Sequence, residues 1–296
     1  MEVENYIEKM KEIQTAIIDY LDSETDDEYQ NLISLIDKSK ICSNLNGFKS
    51  IVKLFSSIIE ICFRPPNFFF KVEKILTYFK AQIKQTYSKE QIVNLFKFNR
   101  RILLFLLREE LISIDNLDKS IINMAYFYPE MEGIINSDQK KEIFEKYSQF
   151  QNYDDNKFKE DRESGENESY ISKLIREDSV QDFISHVNRY NISLNSQING
   201  SLFDTSYIKD NALLIEYASF YGSAQIIKYL LMNKVRKTSC FYNYALHGKI
   251  ADYIYESVAK LNKLIKKGFD NNDDHKALMN EYSIYESSAS IAIRCH

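Results

Sequence analysis

Asn211–Val235 reads NALLIEYASFYGSAQIIKYLLMNKV, and its spacing decides how the rest of the chain is interpreted. The spacing predicts two short helices joined at Gly222. The first covers Ala212 to Tyr221 and sets Leu214, Ile215 and Ala218 on one stripe. The second covers Ala224 to Asn233 and repeats apolar residues at Ile226, Ile227, Leu230 and Leu231, the pattern of a buried helical face. Helices this short are unstable alone, so the pair must lie against other structure. Gly222 fits the residue after a helix end, where the backbone turns left-handed and a Cβ is costly. Ala218 and Ala224 permit close approach of the two helices.

Those residues carry a resemblance. The segment resembles one ankyrin repeat: Ala218 falls at a helix-packing alanine, Phe220 and Tyr221 at the variable pair, and Gly222 at the turn between helices. Gln225-Ile226-Ile227-Lys228 stands where the family carries Glu-Ile-Val-Lys, and Leu230-Leu231 matches its paired leucines. A second unit follows, with Tyr244-Ala245-Leu246-His247-Gly248 as its corner and Ile250-Ala251-Asp252-Tyr253-Ile254 opening its second helix. A weaker third precedes both, running from Leu174 through Val180, Phe183 and Ile184, with Asp178 where glycine would stand. The family's Thr-Pro-Leu-His start is replaced by Leu213-Leu214-Ile215-Glu216, and no proline follows Pro129. Corner spacings of about 44 and about 26 residues depart from the roughly 33 of regular ankyrin arrays. The long interval predicts an inserted loop within Asn191 to Asp210, where Asn199-Gly200 reads as a turn. The resemblance covers about Ser169 to Leu261. The whole chain is also similar to degenerate ankyrin-like proteins with a helical N-terminal region, of the kind expanded in some unicellular eukaryotes.

The resemblance implies a protein–protein interaction or scaffold module that presents a concave helical surface to an unidentified protein partner. The family's variable positions fall here on Phe220, Tyr221, Leu246 and His247, with Glu216 and Asn243 nearby. The alternative for each aromatic is packing between repeats.

Composition agrees with a helical chain. The 296 residues suffice for one large or two ordinary domains, and a hydrophobic content of 44% supports a substantial core. Seven glycines and three prolines are too few for the turns of a β-rich protein of this length. The 21 tyrosines and 19 phenylalanines, in a chain rich in Ile, Asn and Lys, fit a coding bias and are not taken as a site signal. A net charge of −5 argues against general binding to nucleic acid or anionic membrane. Four scattered cysteines read as reduced thiols, and the start Met1-Glu2-Val3-Glu4-Asn5 lacks the character of a secretory signal. The most apolar run, Ile102 to Leu107, is six residues against the roughly 20 that span a bilayer. An intracellular, cytoplasmic protein is expected.

Along the chain, residues 1–150 read as a helical bundle or solenoid. Its expected helices cover Glu2 to Leu21, a shorter piece around Leu32, Phe48 to Phe63 after Gly47, Phe68 to Tyr87, Lys89 to Phe98, Asn99 to Glu110, Asp115 to Tyr126 ending near Pro129, and Asp138 to Phe150. Arg64-Pro65-Pro66 closes the third, and Ser88 with Gln91 has the form of a capping box opening the fifth. Residues 151–168 are acidic and read as a linker or mobile loop. Residues 169–268 hold the ankyrin-like units, and 269–296 form a tail. The fold class is all-α: an irregular α-solenoid of stacked antiparallel helix pairs.

Common signatures of nucleotide, zinc and hydrolase chemistry are missing, so no catalytic residue, cofactor or metal ligand is assigned. Cys240 and His247 are the nearest approach to a thiol–base pair, and packing explains both. Asp154, Asp155, Glu160 and Asp161 lack the spacing and turn glycine of a calcium loop. Phe68-Phe69-Phe70 cannot share one helical face, so one ring must leave the stripe. The alternative function is an enzyme with a site in the N-terminal helices and the ankyrin-like units used for targeting.

Overall fold

The computed structural model describes residues 2–23, 27–61, 67–147, 156–208, 210–248 and 250. Among these the protein is all-helical, with fifteen α-helices and no strand beyond one antiparallel bridge between Gln197 and Leu213. The expected segments Arg64-Pro65-Pro66, Ile250 to Ile254 beyond its first residue, Gly268 and the tail 269–296 lie outside the described residues. The chain divides into two compact units. One is Met1–Glu60, Arg64–Glu168 and Ser201–Ser206, and the other is Ile61–Phe63, Ser169–Gly200 and Tyr207–His296.

The first unit opens with α1 (Glu2–Asp22), which packs on α2 (Asp27–Ser39) and on α4 (Phe68–Thr86). Ile13, Ile17, Tyr20 and Leu21 on α1 are buried, as their helical spacing requires. Helix α3 runs Leu45–Ile61 and encloses Gly47 instead of starting after it. Asn44 explains the earlier start, because its Oδ1 accepts the Gly47 N–H at 2.8 Å. A side chain at Gly47 would collide with the Ile41 carbonyl. Helix α5 (Lys89–Phe96) has the expected capping box: Ser88 Oγ accepts the Gln91 N–H at 3.3 Å, and Gln91 Oε1 accepts the Ser88 N–H at 2.9 Å.

Helix α6 (Arg100–Arg108) is capped by Asn99 and buries Ile102, Leu103, Leu104 and Leu106. The single helix expected from Asp115 to Tyr126 is broken into a 3-10 turn, Ile114–Asn116, and α7, Ile121–Tyr126. Asp118 makes the break by accepting the Ser120 N–H and the Asn123 amide, both at 2.9 Å. Helix α7 ends at Tyr126, as expected, and Pro129 stands in the first turn of α8 (Tyr128–Met131), where a missing N–H costs nothing.

After α9 (Ser137–Lys146), helix α10 (Asn156–Ser164) occupies half of the stretch whose composition reads as a linker. Phe158 and Arg162 are buried on it, which the surrounding acidic residues concealed.

The second unit contains α11 (Tyr170–Arg176), α12 (Val180–Arg189), α13 (Leu214–Phe220), α14 (Ala224–Met232) and α15 (Ser239–His247). Tyr170 at the start of α11 lies 5.1 Å from His186 near the end of α12, so the two run antiparallel. Helix α11 packs on α13 and α13 on α15, while α12 packs on α14. The helix ends share one closure. Ser179 donates to Leu174 O, Ile192 to Val187 O, Ser223 to Ala218 O and Val235 to Leu230 O, each at 2.9–3.1 Å. The residue before each donor is left-handed: Asp178, Asn191, Gly222 and Lys234. This is the Schellman arrangement, which satisfies helix-end carbonyls. A chain of repeated helix pairs follows from these stops.

Candidate functional site

The positions expected to face a partner lie around the corner of α13. Phe220 is 1% exposed and Tyr221 is 6% exposed. The Phe220 ring meets Tyr244 at 5.7 Å and His247 at 5.1 Å, and Tyr221 meets Tyr217 at 4.8 Å with the rings tilted. His247 is buried and also faces Tyr207 at 5.8 Å. Glu216 is buried with defined work: one oxygen accepts the Leu213 N–H at 2.9 Å and the other the Thr238 hydroxyl at 2.5 Å. Asn243 is half-exposed, and the Leu246 side chain lies outside the described residues.

The structure therefore corrects the expected ridge. All seven residues of α13 are buried, because α15 packs along it and the stretch containing Tyr207 also reaches His247. Phe220, Tyr221 and His247 form an aromatic core joining α13 to α15. Glu216 ties the start of α13 to the start of α15.

Besides Tyr207, which is 46% exposed beside His247, the accessible aromatics of this unit are elsewhere. Tyr170 on α11 is 54% exposed and Tyr190 after α12 is 59% exposed. His186 stands between them, 5.1 Å from the first ring and 4.8 Å from the second. The Arg189 guanidinium lies over Tyr190 at 5.5 Å. Met232 at the end of α14 is the most exposed large apolar side chain among the described residues. Tyr170 and Tyr190 do not stand out in the sequence, because aromatics are abundant throughout. Their one signal was position, since neither falls on the apolar stripe of its helix.

In the first unit the densest ionisable cluster surrounds Tyr126. Arg101 is buried, with Nη1 2.6 Å from Glu73 and Nη2 2.9 Å from Glu163. Arg162 is buried in a two-pronged pair with Glu130 at 2.6 and 3.2 Å. The Tyr126 hydroxyl donates to the Arg162 carbonyl at 2.9 Å, and burial pushes its phenol well above the ordinary range against the pull of three arginines. Each of these two buried guanidiniums is matched by carboxylate, the arrangement of a structural ion-pair network. An open cleft of about 530 Å³ between α1 and α2 is lined by Asp19, Asp22 and Glu28 with Ala16, Ser23, Asn31 and Leu32. Among the described residues, no group of three or more His, Cys, Asp or Glu side chains is placed to hold a metal ion. No described helix is long and apolar enough to cross a membrane. Comparison with protein-family models, with curated proteins and with solved structures finds no match to this chain.

Proposed function

We propose that this chain is a protein–protein interaction module, its second unit a short, irregular, ankyrin-like α-solenoid that acts as a scaffold for a protein partner inside the cell. The observation that carries the reading is the repetition of one corner at Asp178 and Gly222, each closing a first helix and aiming a second. Repetition of a helix pair builds a continuous surface without needing a cavity. Burial of α13 moves the recognition surface from the first helices to the outer side of α11, α12 and α14. Tyr170, His186, Arg189 and Tyr190 are its anchors, since accessible Tyr and Arg dominate interface energetics. No cofactor is assigned.

Affinity capture from the native cell, read by mass spectrometry, tests this with the wild type and a Tyr170→Ser, Tyr190→Ser variant. The expected result is at least one protein retained by the wild type and depleted about tenfold with the variant, the loss of roughly 1.4 kcal/mol. The variant should melt within a few degrees of the wild type, because both rings are exposed. Undiminished capture, or capture of nothing above background, would sink the reading.

A further inference from the structure

Residues Ser201–Ser206, reading Ser-Leu-Phe-Asp-Thr-Ser, belong to the first unit although the chain on either side belongs to the second. They lie within a connection of 24 residues between Arg189 and Leu214, longer than a helix-to-helix link requires. The segment is a hook held by its own side chains. Ser201 Oγ accepts the N–H of Phe203 at 3.0 Å and of Asp204 at 3.3 Å, and Asp204 Oδ1 accepts the Ser206 N–H at 2.8 Å. Such local bonds shape a short peptide before it meets any surface.

The hook is seated in the first unit. Leu202 and Phe203 are each 1% exposed, and the Phe203 ring meets Phe158 edge-on at 5.2 Å. Arg100 donates to the carbonyls of Leu202 at 3.3 Å and Asp204 at 2.9 Å. The Thr205 N–H and hydroxyl both donate to the Gly165 carbonyl at 3.0 Å, and the Ser201 hydroxyl donates to the Glu168 carboxylate. Arg100 and Gly165 thus engage the main chain, which any sequence supplies, while Leu202 and Phe203 occupy buried positions that only a fitting pair can fill. Main-chain bonds for affinity and buried side chains for selectivity are the division used in peptide recognition.

We infer that the surface made by Arg100, Phe158, Gly165 and Glu168 is a peptide-docking groove, occupied in cis by the 201–206 hook. It accepts from a partner protein a segment of the same chemistry: a Leu-Phe pair between a turn-forming hydroxyl and a carboxylate. The cis hook is autoinhibitory, because a tethered segment competes at an effective concentration of the order of millimolar. The inference rests on the first unit alone, so its failure leaves the outer-face reading of the second unit untouched.

The experiment uses the full chain with Leu202→Ser and Phe203→Ser together, and a fluorescent peptide of residues 199–206, NGSLFDTS. The peptide should bind the double variant at least tenfold more tightly than the wild type, and a scrambled peptide should not bind. Adding Arg100→Met to the double variant should weaken the peptide about tenfold. Equal binding to wild type and double variant, or no binding to a folded double variant at about 1 mM peptide, overturns the proposal. Should the double variant fail to fold, Phe203→Ala is measured by the same criteria. Unfolding of that variant also overturns it, since a hook the fold cannot lose cannot yield to a competitor.

Discussion

Asp178 Oδ1 accepts the backbone N–H of Ile226 at 3.0 Å, and its other oxygen accepts the N–H of Gln225 at the same distance. The corner of the first helix pair in the second unit therefore caps the second helix of the next pair, placing negative charge at a helix start where free N–H groups collect. Asp178 does this from a left-handed backbone, φ +47, a conformation that favours glycine.

Two substitutions separate these roles. Asp178→Gly removes the cap and relaxes the backbone, and is expected to cost about 1–2 kcal/mol. Asp178→Ala removes the cap and keeps the strain, and should cost about 1 kcal/mol more. Urea unfolding followed by circular dichroism measures both. Identical costs would mean that the left-handed backbone contributes nothing at this corner.

Gly222 and Gly248 make the tightest backbone approach described in the second unit. A Cβ on Gly222, itself at φ +71, would sit 2.5 Å from the Gly248 carbonyl oxygen. One on Gly248 would sit 2.1 Å from the Ser219 carbonyl. Backbone atoms cannot swing aside as flexible side chains do. Gly222→Ala is therefore expected to destabilise the second unit by about 3 kcal/mol or more, read as a lower-temperature transition in calorimetry. A loss below about 1 kcal/mol would show that the corners separate at little cost.

Much of this architecture was legible in the chain, and the failures have particular causes. Ser88 with Gln91 announced a helix start because both bonds of a capping box join residues three apart. Asp178 was read in the place of a glycine and is left-handed there. Pro129 marks the end of α7 at Tyr126, but nothing local shows that it also opens α8, whose first turn tolerates it. Phe158 and Arg162 went unseen because their anchors, Phe203 and Glu130, are distant in sequence. The same limit misplaced the candidate surface. Phe220, Tyr221 and His247 occupy positions that a regular repeat leaves open, and nothing local to them says that α15 packs along α13 or that Tyr207 meets His247.

Cys42 supplies a pH prediction. Its thiol is pushed up to about 11, first by burial and then by the Asp37 carboxylate. A value raised above the ordinary 9.0 means that the folded protein holds this proton while the unfolded chain releases it. The thiol's contribution to stability is thus complete below about pH 9 and is lost as the pH rises toward 11. Tyr78, which donates to Asp37 at 2.5 Å, is shifted in the same direction chiefly by burial. Comparison with Cys42→Ser isolates the thiol: between pH 8 and pH 11 the urea midpoint of the wild type should fall more than that of the variant. Parallel curves would place the thiol in water.

Lys71 is a cation of the first unit that is only 5% exposed. Its ammonium donates to the Tyr20 carbonyl at 2.8 Å, the Leu21 carbonyl at 3.5 Å and Ser23 Oγ at 3.0 Å, and also to the Ser23 carbonyl. These acceptors surround the end of α1, where unpaired carbonyls gather and a positive charge is favoured. It also lies 5.2 Å from the centre of the Tyr20 ring. Lys71→Met keeps the length of the stem and removes the donor, stranding buried carbonyls at an expected cost of about 1–3 kcal/mol. Lys74→Met is the control. Lys74 sits 4.0 Å over the Tyr29 ring, a contact of about 0.5–1 kcal/mol at an accessible position. Lys71→Met should be the costlier change, and amide exchange should accelerate in the last turn of α1. An equal cost for the two, with exchange unchanged there, would assign Lys71 to its ring contact and leave the end of α1 to be held by packing alone.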